Sequence, residues 1–407
     1  MKKIVLIGLL CESNLGDPLS FDCTEYLIRK FDQDVQVSYL DFYGRSPSKG
    51  GSITNRSALR NIVNKAYAGV KRVFGTRVQA LAFKRRKEHC EKYYDEHFKD
   101  ASLVIIVAAG TITYKGRLDC GPYYDLVAKY AAKYNIPVVV NSGGVENAYN
   151  AKDKRCQRLS NALSSKMFKY VTTRDNYDEL VKYVTNPDTK VAKIADVGVW
   201  ASESFGINKD MASDITGIGI ITHERFAENK KKISHSQYNN TMIEIIRKLE
   251  AGGKHWKMFT NGLPADYKNA VEICDSLNLD PNEYILVPKT PSDLVSIISS
   301  FSGIITTRLH SCIVAYSLDI PFISISWNNK LNFFSDAIGY PERTIDPSDF
   351  SSDVILSRFA NAMNEGYDQT KKRTIQKHRR RVYSQLSGTD VTPRSNSIKL
   401  TDEMVLN

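Results

Sequence analysis

Short, unbroken runs rich in Val and Ile recur along this chain, and between most of them apolar residues fall three and four apart. The runs are KIVLIGL (3–9), VQVSYLDF (35–42), LVIIVAA (103–109), PVVVNSG (137–143) and YVTTRD (170–175), then ITGIGIITHE (215–224), HWKMFTN (255–261), EYILVP (283–288), GIITT (303–307) and FISIS (322–326). Segments such as NYDELVKYV, NNTMIEIIRKLEA and PSDLVSIISSF lie between them with helical spacing. Continuous apolar strands alternating with helices indicate parallel sheets covered on both faces, so the expected class is α/β, doubly wound. The pattern restarts near residue 200, after the aperiodic stretch VGVWASESFGINKDMASD. Two Rossmann-like domains facing a cleft are therefore expected: residues 1–200, with a basic helical insertion at about 53–99, and residues 201–385, followed by a tail at 386–407.

With 407 residues and 42% hydrophobic content, the chain has material for two cores. Its formal net charge of +11 favours anionic partners: phosphorylated metabolites, nucleic acid or an anionic membrane surface. Two basic segments stand out. Between Arg56 and Lys87 there are ten Lys/Arg and no Asp or Glu, on a helical apolar pattern, and KKRTIQKHRRRVYS (371–384) reads as part of a C-terminal helix. Each is either a solvated helix face or a patch for anionic headgroups or a diphosphate. No zinc-finger spacing or RNP-type motif is present, so nucleic acid is not expected. Seven cysteines without regular spacing point to reduced thiols and a cytoplasmic location. MKKIVLIGLLC superficially resembles a secretory signal, but its apolar run is short and Leu10 precedes the cysteine, so a buried first strand is expected.

The stretch SGIITTRLHSCIVAYSLDIPFISIS (302–326) is apolar except at Arg308 and His310. GIITT reads as a strand and SCIVAYSL as a helix that Pro321 ends, which places Arg308, His310 and Ser311 at a strand's carboxyl end and a helix's amino end. In open α/β sheets that edge binds ligands, because free N–H groups and the helix dipole favour anions there. The alternative is that Arg308 pairs with a carboxylate and His310 is a hydrogen-bonded core residue. The turn after the first run is comparable: Asn14, Gly16 and Asp17 precede an amphipathic helix, Gly16 permits close approach, and Asp17 suits either helix capping or a site. Neither a G-x-G-x-x-G nor a Walker loop occurs there.

Together these residues resemble the polysaccharide pyruvyl transferase family. The resemblance rests on NLGD (14–17), AAGTITYKG (108–116), TTRDNYDELVKY (172–183), IADVGVW (194–200) and above all TTRLHSCIVAYSLDIPFISISWNNKLNFF (306–334), with Lys330 nine residues beyond the proline. Two departures are visible: the family's Gly-Gly-Gly reads Ala108-Ala109-Gly110, and the turn after GIGIIT carries His223 and Arg225. The resemblance implies a glycosyltransferase-B-like fold and transfer of pyruvate from phosphoenolpyruvate onto two hydroxyls of a sugar, as a cyclic ketal. No cofactor or metal is implied, phosphoenolpyruvate being the donor substrate. On this reading the C-terminal domain holds the donor: Arg308 and the helix beginning at Ser311 grip phosphate, His310 is acid or base, and Lys330 and His223 serve the carboxylate or the leaving group. The N-terminal domain takes the acceptor, with Asp17 orienting or deprotonating a hydroxyl and Asn14, Gly16 and Gly110 shaping the pocket. The acceptor is expected in a cell-surface polysaccharide or its precursor, linked to a polyprenyl diphosphate, with peripheral attachment to the inner membrane face. Two rivals share the sequence features: a nucleotide-sugar-dependent glycosyltransferase of the same architecture, and a non-catalytic protein binding anionic glycan or nucleic acid.

Overall fold

The structure is a computed structural model that describes residues 2–45, 88–115, 119–222, 224–228 and 233–386, with side chains to residue 377. Among the described residues, twelve strands form two six-stranded parallel sheets. The first comprises β1 (Lys3–Gly8), β2 (Gln36–Asp41), β3 (Leu103–Ile106), β4 (Val138–Gly143), β5 (Phe168–Thr173) and β6 (Lys190–Lys193). The second comprises β7 (Thr216–Gly219), β8 (Trp256–Phe259), β9 (Ile285–Leu286), β10 (Gly303–Thr306), β11 (Phe322–Ile325) and β12 (Thr344–Ile345). The α/β, doubly wound expectation holds in both halves. The first run of the chain is a buried strand, β1, and none of the seven cysteines is in a disulfide, six of them being buried.

The sheets run in the orders β2-β1-β3-β4-β5-β6 and β12-β11-β10-β7-β8-β9. The second is the dinucleotide-fold order, and the first is the flavodoxin-like order with one strand added. Each reverses direction once, between β1 and β3 in the first sheet and between β7 and β10 in the second. The loops leaving β1, β3 and β10 therefore flank the crevices where open sheets bind ligands. β6 and β12 lie outside the ten apolar runs. Both are edge strands, and neither needs a continuous apolar sequence: β6 reads KVAK with exposed ends, and β12 has two residues.

Between the sheets, the aperiodic stretch forms a 3-10 turn (Val197–Trp200) and a short helix (Ala201–Phe205). Val197, Val199 and Trp200 are buried in one hydrophobic cluster with Leu19 of the first lobe and Ile313 of the second. A side chain at Gly198 would meet Ile313 at 2.8 Å, so the connector is itself core. The C-terminal helix Gln369–Leu386 runs back across this junction. Gln376 donates to the Val199 carbonyl (3.4 Å) and to Glu203 (3.1 Å), while Lys372, from the basic run, is buried and donates to the Ser317 carbonyl (2.8 Å). The basic insertion falls, up to residue 87, outside the described residues, as does the tail beyond Leu386. No helix among the described residues is long and apolar enough to cross a membrane.

Candidate active site between the lobes

Two of the strands that line the junction end in the same three residues, Thr-Thr-Arg: 172–174 after β5 and 306–308 after β10. At the end of β5, Thr172 repairs a break in the sheet. Register shifts between Val140 and Gly143, where Ser142 takes a left-handed conformation (φ 51°). Thr172 Oγ1 donates to the Val140 carbonyl (2.7 Å) and accepts from the Ser142 amide (2.8 Å), restoring the ladder bonds that the bulge removes. Thr173 Oγ1 donates to Asp175 Oδ1 (2.8 Å). Arg174 and Asp175 are thereby fixed at the sheet's edge.

Arg174 is 7% exposed and pairs with Asp196, whose other oxygen accepts from the Gly198 amide at 2.7 Å. The same Nη1 lies 3.4 Å from His310 Nε2, and Arg174 Nε has no partner. His310, in the first turn of the helix Leu309–Ser317, is 5% exposed. Burial, then the field of Arg174, lowers its pKa to about 3, so the imidazole is neutral at physiological pH. Its ring lies directly against Gly16, where any Cβ would overlap it.

Across the junction, Asp17 is partly exposed and accepts from Asn14 Nδ2 (3.3 Å). It does not cap the helix Gly16–Phe31, which starts after Leu15 without a side-chain cap. Enclosure between the lobes raises its pKa to about 7, against the opposing fields of Arg174 and Lys330. Lys330, in the helix Asn329–Ala337, forms an inter-lobe ion pair with Glu146. This pair rests over Gly110, where a side chain would collide with Glu146 and come within 3.2 Å of Lys330 Nζ. The Leu15 amide donates to the Asn261 carbonyl (3.0 Å), and Gly262 (φ +90°) brings the second lobe against Ser13. A crevice of only ≈ 20 Å³ remains, lined by Arg174, Asp175 and Lys330 at its polar end and by Leu309, Ile313 and Phe334 beyond.

Of the residues expected from sequence, Asn14, Gly16, Asp17, Gly110, His310 and Lys330 meet at this junction. Two, Arg308 and Ser311, are engaged within the C-terminal lobe instead. The Arg308 fork is engaged inside the C-terminal lobe: Nε donates to Asp266 Oδ2 (2.9 Å) and Nη2 to Oδ1 (2.6 Å), and Asp266 also accepts from the Thr222 amide (3.1 Å). Ser311 is the third residue of its helix rather than the first, fully buried, with Oγ donating to Asn261 Oδ1 (2.6 Å). The cation whose Nε is free at the crevice is Arg174, supplied by the other Thr-Thr-Arg. His223 lies outside the described residues. Sequence reasoning left out Arg174, Asp175, Asp196 and Glu146 as site residues, although the duplicated tripeptide at two strand ends was available as a signal.

Among the described residues no three His, Cys, Asp or Glu side chains are grouped to hold a metal ion. The fold is shared with the UDP-GlcNAc 2-epimerase from Methanocaldococcus jannaschii, with TM-score 0.55 and 10% identity over 95% of this chain and 100% of that one. It is also shared with the UDP-GlcNAc 2-epimerase from Neisseria meningitidis in its UDP-GlcNAc-bound structure, at 0.51 and 11% identity over 95% of this chain and 99% of that one. These likenesses establish a glycosyltransferase-B-like architecture and nothing about substrate. No curated protein matches the sequence. A sequence model of the family described as polysaccharide pyruvyl transferase matches residues 14–329, more than half of the chain. The match spans both lobes and the junction residues from Asn14 to His310, ending one residue before Lys330, and the chain belongs to that family of transferases.

Proposed function

We propose that this protein moves the pyruvyl group of phosphoenolpyruvate onto two hydroxyls of one sugar, in a cell-surface polysaccharide or its lipid-linked precursor. The observation that carries this reading is the convergence of two cations, Arg174 and Lys330, with a carboxyl titrating near neutrality, Asp17. Phosphoenolpyruvate carries a phosphate and a carboxylate, and a guanidinium, an ammonium and the amino end of the helix Leu309–Ser317 suit that pair of anions. Lys330 already holds a carboxylate, that of Glu146, which an anionic substrate would displace. Because the crevice holds little more than a water, the lobes part to admit the donor.

The chemistry then needs a proton at the methylene carbon and stabilisation of the phosphate. Asp17, with a pKa of about 7, supplies the proton. An oxocarbenium-like centre forms, and one sugar hydroxyl adds to it. Phosphate leaves toward Arg174 and Lys330, and the second hydroxyl closes the ring. One hydroxyl proton balances that taken up by the new methyl group, and the other departs with phosphate. His310, neutral and accepting from Arg174, positions the guanidinium and the helix amino end rather than carrying a proton.

The test is incubation with phosphoenolpyruvate and a panel of polyprenyl-diphosphate-linked and free sugars, following phosphate release and the glycan's mass. The expected result is equal release of phosphate and gain of a pyruvyl ketal, with the rate falling as pH rises through about 7 because Asp17 loses the proton it donates. Release of nucleoside diphosphate from a nucleotide sugar, with no reaction of phosphoenolpyruvate, would replace this reading with glycosyl transfer.

A further inference from the structure

Asp175 is 3% exposed, and its two oxygens have opposite surroundings. Oδ1 accepts three hydrogen bonds, from the Val145 amide (3.0 Å), Thr173 Oγ1 (2.8 Å) and the Asn176 amide (2.7 Å). Oδ2 accepts none. A buried acceptor without a partner costs stability, so the bare Oδ2 calls for a donor. The carboxylate is thus clamped in one orientation with a lone oxygen left over. It lines the same crevice as Arg174 and Lys330, and the Nε of the adjacent Arg174 is also unpartnered.

What would complete Oδ2 is a hydrogen-bond donor, and with Arg174 and Lys330 taken up by the anionic substrate a sugar hydroxyl fills that role. Gly144 stands in front of it: a Cβ at that position would lie 3.1 Å from Oδ2 and 3.3 Å from the Gly110 Cα. The missing side chain at Gly144 keeps that loop clear of the oxygen. We propose that Asp175 Oδ2 is a catalytic base, receiving the acceptor-sugar hydroxyl that attacks the pyruvyl carbon. The hydroxyl oxygen bonds to that carbon, its proton passes to Oδ2, and from there it leaves with the departing phosphate. Alternating charge along the crevice then sorts the substrates: Arg174 and Lys330 take the anionic donor, and Asp175 takes the uncharged diol. This inference rests on the pyruvyl-transfer reading above.

Asp175→Asn tests it, because the amide oxygen can keep the three Oδ1 bonds while the free position becomes a donor. Turnover with phosphoenolpyruvate and the best acceptor of the panel should fall about 10²-fold or more. The rise in melting temperature caused by phosphoenolpyruvate alone should persist. Near-wild-type turnover would overturn the assignment, as would loss of the phosphoenolpyruvate effect in a folded variant. If Asp175→Asn does not fold, Gly144→Ala carries the test: it should raise the acceptor KM about tenfold with the phosphoenolpyruvate KM unchanged, and an unchanged acceptor KM would overturn the proposal. A wild-type chain showing neither phosphoenolpyruvate stabilisation nor turnover would overturn the functional reading itself, whereas an active wild type with an equally active Asp175→Asn overturns only this inference.

Discussion

Arg308 and Arg174 end strands with the same Thr-Thr-Arg sequence, yet their guanidinium groups are held differently. The difference lies in their partners. Asp266 meets the Arg308 fork with both oxygens, whereas Asp196 meets Nη1 of Arg174, whose Nε is without a partner. Arg308→Lys keeps the charge and loses the fork, so it should cost about 1.5–3 kcal/mol of stability, one charge-assisted hydrogen bond. Urea unfolding reads that loss, and the phosphoenolpyruvate KM should stay near wild type. A raised KM with unchanged stability would return Arg308 to the donor site. Local sequence placed Arg308 at a strand end correctly, but the carboxylate that captures it is 42 residues away in sequence, beyond the reach of any spacing argument. The same holds for His310. Its position was legible from the interrupted apolar run, but its neutrality follows from burial beside Arg174, 136 residues distant.

At the scale of elements, helix Leu309–Ser317 is buried on every side from His310 onward, which is why its sequence shows no amphipathic period. It lies in one cluster with the helix Gly16–Phe31, the connector and the helix Pro291–Ser299, through Leu19, Val197, Leu294 and Ile313. Gly16 is the closest point of that packing, with the His310 ring in the space a side chain would occupy. Gly16→Ala is therefore expected to wedge the two helices apart, at a cost of about 1–3 kcal/mol. Turnover should drop about 10²-fold or more while circular dichroism shows both lobes folded, because reacting groups displaced by an ångström lose their alignment. Full activity in Gly16→Ala would mean that the two helix starts need not meet during catalysis. The strand-helix alternation made most of these elements readable in advance. The two edge strands escaped because edge position removes the need for an apolar run, and the connector looked like a linker because a segment buried between two lobes has no single polar face to give it a period.

For the whole molecule, the site exists only where the lobes meet. The first lobe brings Asn14, Asp17, Gly110, Glu146, Arg174 and Asp175, and the second brings His310 and Lys330. The Glu146–Lys330 pair and the Leu15–Asn261 hydrogen bond join the lobes across the cleft, and on the proposed function donor binding would be coupled to parting that ion pair. Lys330 is the cation that must change partners in that step, and it is accessible enough to be replaced without leaving a buried charge unpaired. Calorimetric titration of phosphoenolpyruvate into the wild-type chain and into Lys330→Ala tests the central claim most directly. Saturable one-to-one binding by the wild type, weakened at least about tenfold in the variant, is the predicted result, a loss of about 1.4 kcal/mol or more. Equal affinity in both chains, or no binding by the wild type, would contradict a donor site between the lobes.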